Sequence, residues 1–257
     1  MRDLPEITNN QAKLYASLNH KKYRQQYGLF IADGPHLVQT VINSGWEIEK
    51  IIIKPEKIDL IEKLDLSTER LALCQQARFD KIAPSQTPQG ILAIVKIPNI
   101  AQNIDQIVKS ARRVIACDNI SDPGNLGTII RTAAAFGYNL VVCVGNCAEL
   151  YNPKTIRATQ GGLFAVPVLE INSAAEFIEL FAHQFNLIAL SGKAKKPLSK
   201  APRIKRPVLV VGGETAGISP EIEARADFHF RIEQTDKIES LNAAVAAAVA
   251  MYKFSRG

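Results

Sequence analysis

The sequence predicts an α/β protein built from two units, and three features of its pattern point there. From residue 113 onward, short apolar runs alternate with helical segments over short connections, which is the pattern of a parallel sheet covered on both faces. The first 95 or so residues show the same alternation and are enough for a core of their own. Between the two, the stretch from Pro98 to about Ile107 is polar. Residues 1–98 are therefore expected to form one domain, 99–110 a linker, and 111–257 a second domain.

The elements follow in chain order. Residues 10–25 read as a polar, basic helix. Leu29–Asp33 reads as a strand that turns at Gly34, and Pro35 at a first helical position opens an amphipathic helix through about Ser44. Trp46–Ile53 is a strand, its Ile51-Ile52-Ile53 being β-branched throughout. Residues 57–64 are helical by pattern, Leu71–Cys74 a short strand, Ala77–Ala83 a short helix and Gln89–Val95 a strand. In the second unit strands are expected at 113–118, 138–144, 165–169, 186–190, 207–212 and 228–232. Helices are expected at 125–136, 153–160, 173–184, 219–226 and 240–254.

Composition bounds the function. With 47% hydrophobic and 22% charged residues the chain has ordinary globular composition, and its apolar runs are too short and too broken by charge for a membrane span, so no membrane partner is expected. The opening Met-Arg-Asp-Leu-Pro-Glu lacks the apolar core of a signal peptide. Four cysteines are too sparse for a disulfide scaffold, which implies a cytoplasmic setting. Cys143 and Cys147 have no second pair at ligand spacing, so buried thiols and no metal are expected. The net charge of +6 fits a polyanionic partner without demanding one. Lys193, Lys195, Lys196, Lys200, Arg203, Lys205 and Arg206 form a run of seven cations without an acid, and Lys21, Lys22 and Arg24 form a second group. Each reads either as a solvated face or as a set of phosphate contacts along RNA.

Three segments carry the chemistry. Asp122–Gly137 follows a strand and opens a helix, whose free N–H groups favour anions; Asn125 is the candidate N-cap. Arg131, in the first two turns, reads either as a surface ion-pair partner or as a side chain reaching the same pocket. Gly212, Gly213, Glu214 and Gly217 lead off the carboxyl end of a buried strand, where open α/β sheets bind ligands. Glu214 is either a hydrogen-bond partner for a hydroxyl or amine, or a plain acid at a helix N-terminus. Ser240 and Asn242 precede an alanine-rich helix and read as caps or as site residues.

In order and wording these three segments resemble the three motifs of the SpoU (TrmH-like) RNA ribose 2′-O-methyltransferases of the SPOUT superfamily. Asn125, Gly127, Ile129, Arg131, Ala133, Phe136 and Gly137 match the first motif; Gly212, Glu214 and Gly217 the second; Ser240, Leu241 and Asn242 the third. Asn152-Pro153-Lys154 with Arg157–Phe164 resembles the family's intervening segment, and Tyr27–Pro35 the start of its L30e-like substrate-binding domain. The resemblance implies a deep trefoil knot in the second domain and a homodimer formed through it, with the active site near the subunit interface. It implies S-adenosyl-L-methionine as co-substrate, held mostly by backbone, with Gly212, Gly213, Gly217, Ile232 and Leu241 as the contacts. Two departures stand out: Glu233 replaces the usual proline, and Ala243-Ala244 replaces a Val-Ser pair.

The implied reaction moves a methyl group to a ribose 2′-oxygen. Arg131 matches the family's essential arginine; because a guanidinium stays protonated, it is read as a clamp on phosphate and hydroxyl, with a role as base the bolder option. Asn125, Glu214, Ser240 and Asn242 would position the reactants. RNA contacts are expected from Lys21, Lys22, Arg24, Lys154, Arg157, Lys195 and Lys196, with 23S ribosomal RNA favoured over transfer RNA. Two rivals are a knotted RNA-binding protein without catalysis, against which Arg131, Glu214 and Asn242 argue, and a nucleotide-dependent oxidoreductase, against which the missing Gly-x-Gly-x-x-Gly argues.

Overall fold

The computed structural model describes residues 4–63, 70–214, 216–235, 237 and 240–255. Leu64, at the end of one expected helix, and Thr215, within the second motif, lie outside the described residues. The chain forms two compact units, Met1–Asn99 with Tyr151–Phe164, and Ile100–Leu150 with Ala165–Gly257.

In the first unit, helices α1 (Asn9–Ser17) and α2 (Lys21–Tyr27) replace the single helix expected over 10–25. The break has a local cause. Asn19 turns its amide onto the carbonyls of Ala16 and Ile82, competing with the helical ladder. Leu18 is thereby fully buried. Strand β1 (Leu29–Asp33), helix α3 (Pro35–Ser44) and strand β2 (Ile48–Ile53) follow, then α4 (Leu60–Lys63), β3 (Leu71–Leu73), α5 (Gln76–Ile82) and β4 (Ile91–Lys96). The sheet order is β1-β4-β2-β3, antiparallel except for the β2–β3 pair. Tyr15, Leu18, Ile52, Phe79 and Leu92 centre its core.

Tyr151–Phe164 joins this unit through aromatic packing. Phe30 lies 4.9 Å from Tyr151, and Trp46 5.2 Å from Phe164, between ring centroids.

The second unit begins where a linker was expected. Residues 100–103 form a 3-10 turn and α6 (Ile104–Ser110) continues it. Ile104, Ile107 and Val108 pack on this unit's core, so the apolar positions among the polar ones decide the conformation. The remaining elements are β5 (Val114–Asp118), α7 (Pro123–Ala135), β6 (Leu140–Val144), β7 (Val168–Ile171), α9 (Ala174–Phe181) and β8 (Asn186–Leu190). They end with β9 (Pro207–Gly212), α10 (Pro220–Arg225), β10 (Phe228–Phe230) and α11 (Ala243–Ser255); α8 (Pro153–Thr159) lies in the first unit.

The second sheet has the order β10-β8-β9-β5-β6-β7, and every pair is parallel. Successive residues of β5 are all buried, as both faces are covered. On one face Phe177, Phe181 and Ile222 pack against Val114, Val142 and Val208. Helices α7 and α11 pack together, α11 against β9 and α7 against β6. The strand order reverses beside β5: β6 and β7 lie to one side, β9 and β8 to the other. That reversal leaves a crevice at the carboxyl ends of β5 and β9. No described helix is long and apolar enough to cross a membrane.

Candidate active site

Register explains why distant segments meet. Val144, Asp118 and Gly212 are aligned across β6, β5 and β9, so three chain segments leave the sheet side by side. Asp118 ties them together. It is 1% exposed, and its Oδ2 accepts from the Ser219 N–H at 2.6 Å, while its carbonyl accepts from Gly213 N–H at 3.0 Å. Its Oδ1 accepts from Asn119 Nδ2 at 2.7 Å, and Asn119 Oδ1 in turn accepts from Asn146 N–H at 2.9 Å. Asn119 holds φ +54°, a left-handed conformation that asparagine tolerates better than most residues.

The second motif is a tight turn. Gly217 donates its N–H to Gly213 O at 2.9 Å, with φ +70° at Gly217. A Cβ on Gly212 would stand 2.0 Å from Gly217 C, so no side chain fits there. A Cβ on Gly213 would stand 2.7 Å from Asn119 O.

The functional side chains of the three motifs converge. Asn125 Nδ2 donates to Glu214 Oε1 at 2.9 Å. Asn242 Nδ2 donates to Asn125 Oδ1 at 2.8 Å and to Glu214 Oε1 at 2.9 Å. Each motif thus supplies one corner of a triangle of hydrogen bonds. Asn242 also caps α11, its Oδ1 accepting from Ala244 N–H at 3.0 Å and Val245 N–H at 3.2 Å. The missing hydroxyl at Ala244 is therefore not needed for the cap. Asn125, Glu214, Asn119, Asp122 and Gly213 line a pocket of about 220 Å³. Among the described residues Glu214 Oε2 takes no hydrogen bond, so the carboxylate keeps an acceptor for a ligand.

Several expectations are corrected. Asp122, not Asn125, caps α7, accepting from Asn125 N–H at 2.7 Å. Pro123 at the first helical position starts the helix earlier than expected and frees the Asn125 amide for Glu214. Arg131 does not reach this pocket. It is exposed and stands about 120° round the helix from Asn125, as six residues at 3.6 per turn require. Among the described residues its side chain makes no hydrogen bond or ion pair.

Arg24 is 2% exposed and donates to Leu18 O at 2.7 Å, so it braces α1 against α2 and does not present its charge to solvent. Arg157 is half-buried near Asp33, whose carboxyl is pushed up chiefly by burial, opposed by the Ser85 hydrogen bonds and the Arg157 charge. Lys21, Lys22, Lys154, Lys195 and Lys196 are exposed, as is Ser240.

Leu241 is half-buried beside Asn242. Ile232 and Glu233 line a larger groove of the second unit. Glu233 accepts the Ser199 hydroxyl, which holds its carboxyl below the usual range.

Asp118 and Asn119 do not stand out in the sequence. The available signal was a carboxylate ending the apolar run Val114–Cys117, where a buried acid needs partners. Of the two cysteines expected to be buried thiols, Cys143 is buried and Cys147 only half-buried; Cys117 is buried too, and burial raises its thiol well above its ordinary value. Among the described residues no cluster of His, Cys, Asp or Glu could hold a metal ion.

Comparison with known proteins places this geometry. A family model described as the SpoU rRNA Methylase family matches residues 112–252, and an MRM3-like substrate binding domain matches residues 9–93. The 23S rRNA (guanosine(2553)-2′-O)-methyltransferase RlmP of Bacillus subtilis is 31% identical over 252 residues, covering 98% of each chain. The 23S rRNA (uridine(2479)-2′-O)-methyltransferase of Streptomyces viridochromogenes is 26% identical, covering 97% of this chain and 91% of its own. The crystal structure of an AdoMet-bound rRNA methyltransferase from Sinorhizobium meliloti superposes with a TM-score of 0.85 at 27% identity, covering 98% of this chain and 97% of its own.

Proposed function

Since the chain belongs to the SpoU rRNA methylase family, we propose that it transfers a methyl group from S-adenosylmethionine to a ribose 2′-hydroxyl of 23S ribosomal RNA. The observation that carries this reading is the triangle of Asn125, Glu214 and Asn242, which joins all three motifs. Ribosomal RNA is favoured over transfer RNA because the relatives above are named for 23S rRNA, although one acts on a guanosine and the other on a uridine.

Gly212, Gly213 and Gly217, with Ile232 and Leu241, would hold the methyl donor. The turn fits a ligand gripped by main-chain groups, because its glycines leave peptide groups uncovered by side chains. When bound, S-adenosylmethionine supplies an electrophilic methyl on a sulfonium. The protein's task is then to orient the hydroxyl and draw off its proton. Glu214 is suited to accept the hydroxyl hydrogen bond on Oε2, since Oε1 is fixed by two amides. The two asparagines hold that carboxylate in one orientation. Arg131 clamps the adjoining phosphate.

Because Arg131 lies outside its own pocket, we assign it to a site completed in a homodimer. The exposed stripe Val245 (49%), Val249 (41%) and Tyr252 (45%) on α11 supplies an apolar face for the second copy. The family's trefoil knot in the second domain, the L30e-like character of residues 1–98 and a cytoplasmic setting belong to the same proposal. The substrate-binding match over residues 9–93 supports the assignment of the first domain to RNA selection. Arg131→Ala is expected to abolish methyl transfer while leaving S-adenosylmethionine affinity, measured by calorimetry, near normal. Retained transfer would remove Arg131 from the mechanism.

A further inference from the structure

The second unit carries a groove of about 1500 Å³ that shares no lining residue with the pocket of the Asn125–Glu214–Asn242 triangle. Its walls are the turn after α6, the segment before β9 and the last turns of α11; Val249 and Tyr252 of the α11 wall belong to the apolar face assigned above to the second copy, which leaves the other two as the open, cationic walls. Lys109, Arg112, Arg113, Arg203 and Lys205 line it. Among the described residues none of these five pairs with a carboxylate.

The frame beneath the charges is rigid. Asn139 Oδ1 accepts from the N–H groups of Arg112 and Arg113 at 3.0 and 3.1 Å, fixing the turn from which both side chains project. Arg206 joins the two cationic segments. Its guanidinium lies 4.2 Å above the Phe185 ring and donates to Lys109 O at 3.5 Å and Ala111 O at 3.3 Å. Among the described lining residues the one acid is Glu233, which is engaged by the Ser199 hydroxyl, and Lys253 donates to Ser199 O at 2.9 Å.

Five like charges lining one groove without a counter-charge among the described residues repel one another, and a polyanion relieves that repulsion by replacing condensed counterions. The cations stand on two separate chain segments along one groove, which favours a polyanion over a single phosphate group. We infer that this groove binds the phosphodiester backbone of an RNA strand, giving the methyltransferase unit an RNA track of its own. The inference rests on the RNA-methylating reading above. It places the principal phosphate-binding residues at Lys109–Arg113 and Arg203–Lys205, beyond the expected Lys195 and Lys196.

The test uses the full chain and a labelled oligouridylate, followed by fluorescence anisotropy across a salt series. The variants are Arg112→Glu with Arg113→Glu, and Arg203→Glu with Lys205→Glu; Arg112→Gln with Arg113→Gln serves if charge reversal impairs folding. Each pair is expected to weaken binding at least about tenfold and to flatten the slope of log K against log salt by about 0.7 for each phosphate that is no longer neutralised. S-adenosylmethionine affinity and sedimentation mass should stay unchanged. Unaltered affinity and slope would overturn the inference. So would a change in mass, which would make the groove an interface between copies. Displacement of the oligouridylate by polyglutamate as readily as by unlabelled RNA would point to an acidic protein instead. A wild-type protein that binds oligouridylate through these residues yet transfers no methyl would leave the groove standing and sink the proposed activity.

Discussion

Asn242 combines two roles that are usually separate. Its amide nitrogen fixes Glu214 and Asn125, and its amide oxygen caps α11. Asn242→Ala should therefore lower stability by roughly 1 kcal/mol through the missing cap, seen as a lower denaturant midpoint. It should also cut methyl transfer by a factor well beyond that stability effect. Equal transfer rates in the folded variant would reduce Asn242 to a cap. Asp118 acts at one remove, through the loops it joins. Asp118→Ala leaves the Ser219 N–H without its buried acceptor and should cost about 1–3 kcal/mol. Calorimetry should also show weaker S-adenosylmethionine binding; a variant with normal binding would mean the turn holds without Asp118. At this scale the sequence was partly legible. Asn125, Glu214 and Asn242 each read singly as a cap or a plain helix-terminal acid, and stood out through the order of the three motifs and the family resemblance. Asp118 did not, since its role depends on Ser219, a hundred residues away and brought near only by the register of β5 and β9.

Among the elements, the Gly212–Gly217 turn and α11 make separate predictions. Gly212→Ala would drive a Cβ into the Gly217 carbonyl carbon and must open the turn. Far-ultraviolet circular dichroism should remain native-like while S-adenosylmethionine affinity falls at least about tenfold. Unchanged affinity would show that the turn does not shape the donor site. On α11, Val249→Asp places a charge in the apolar stripe and should shift sedimentation toward monomer, with transfer abolished in parallel. A monomeric variant with full activity would detach Arg131 from a shared site. Strand positions were readable because runs such as Val208-Leu209-Val210-Val211 leave few alternatives. Helix boundaries were less so. Asn19 breaks the first helix by a hydrogen bond to Ile82, and residues 100–110 are helical because a few apolar positions find the second core.

At the scale of the molecule, the two-unit plan was visible in the polar stretch near residue 100. The membership of Tyr151–Phe164 was not, because its aromatic partners Phe30 and Trp46 are far away in sequence. The cationic groove was also hidden. Sequence showed the run from Lys193 to Arg206 but not Arg112 and Arg113, which folding brings to the same walls. The net charge of +6 and this groove together predict RNA affinity that falls steeply with salt; a flat salt response would remove phosphate binding as the source of affinity. The central claim is ribose methylation of ribosomal RNA. It is tested most directly by mapping 2′-O-methyl groups in 23S rRNA from cells with and without this protein, and from cells carrying Arg131→Ala. One ribose methyl should vanish in the deletion, return with the wild-type chain and stay absent with Arg131→Ala. Identical methylation maps in all the strains would contradict the account.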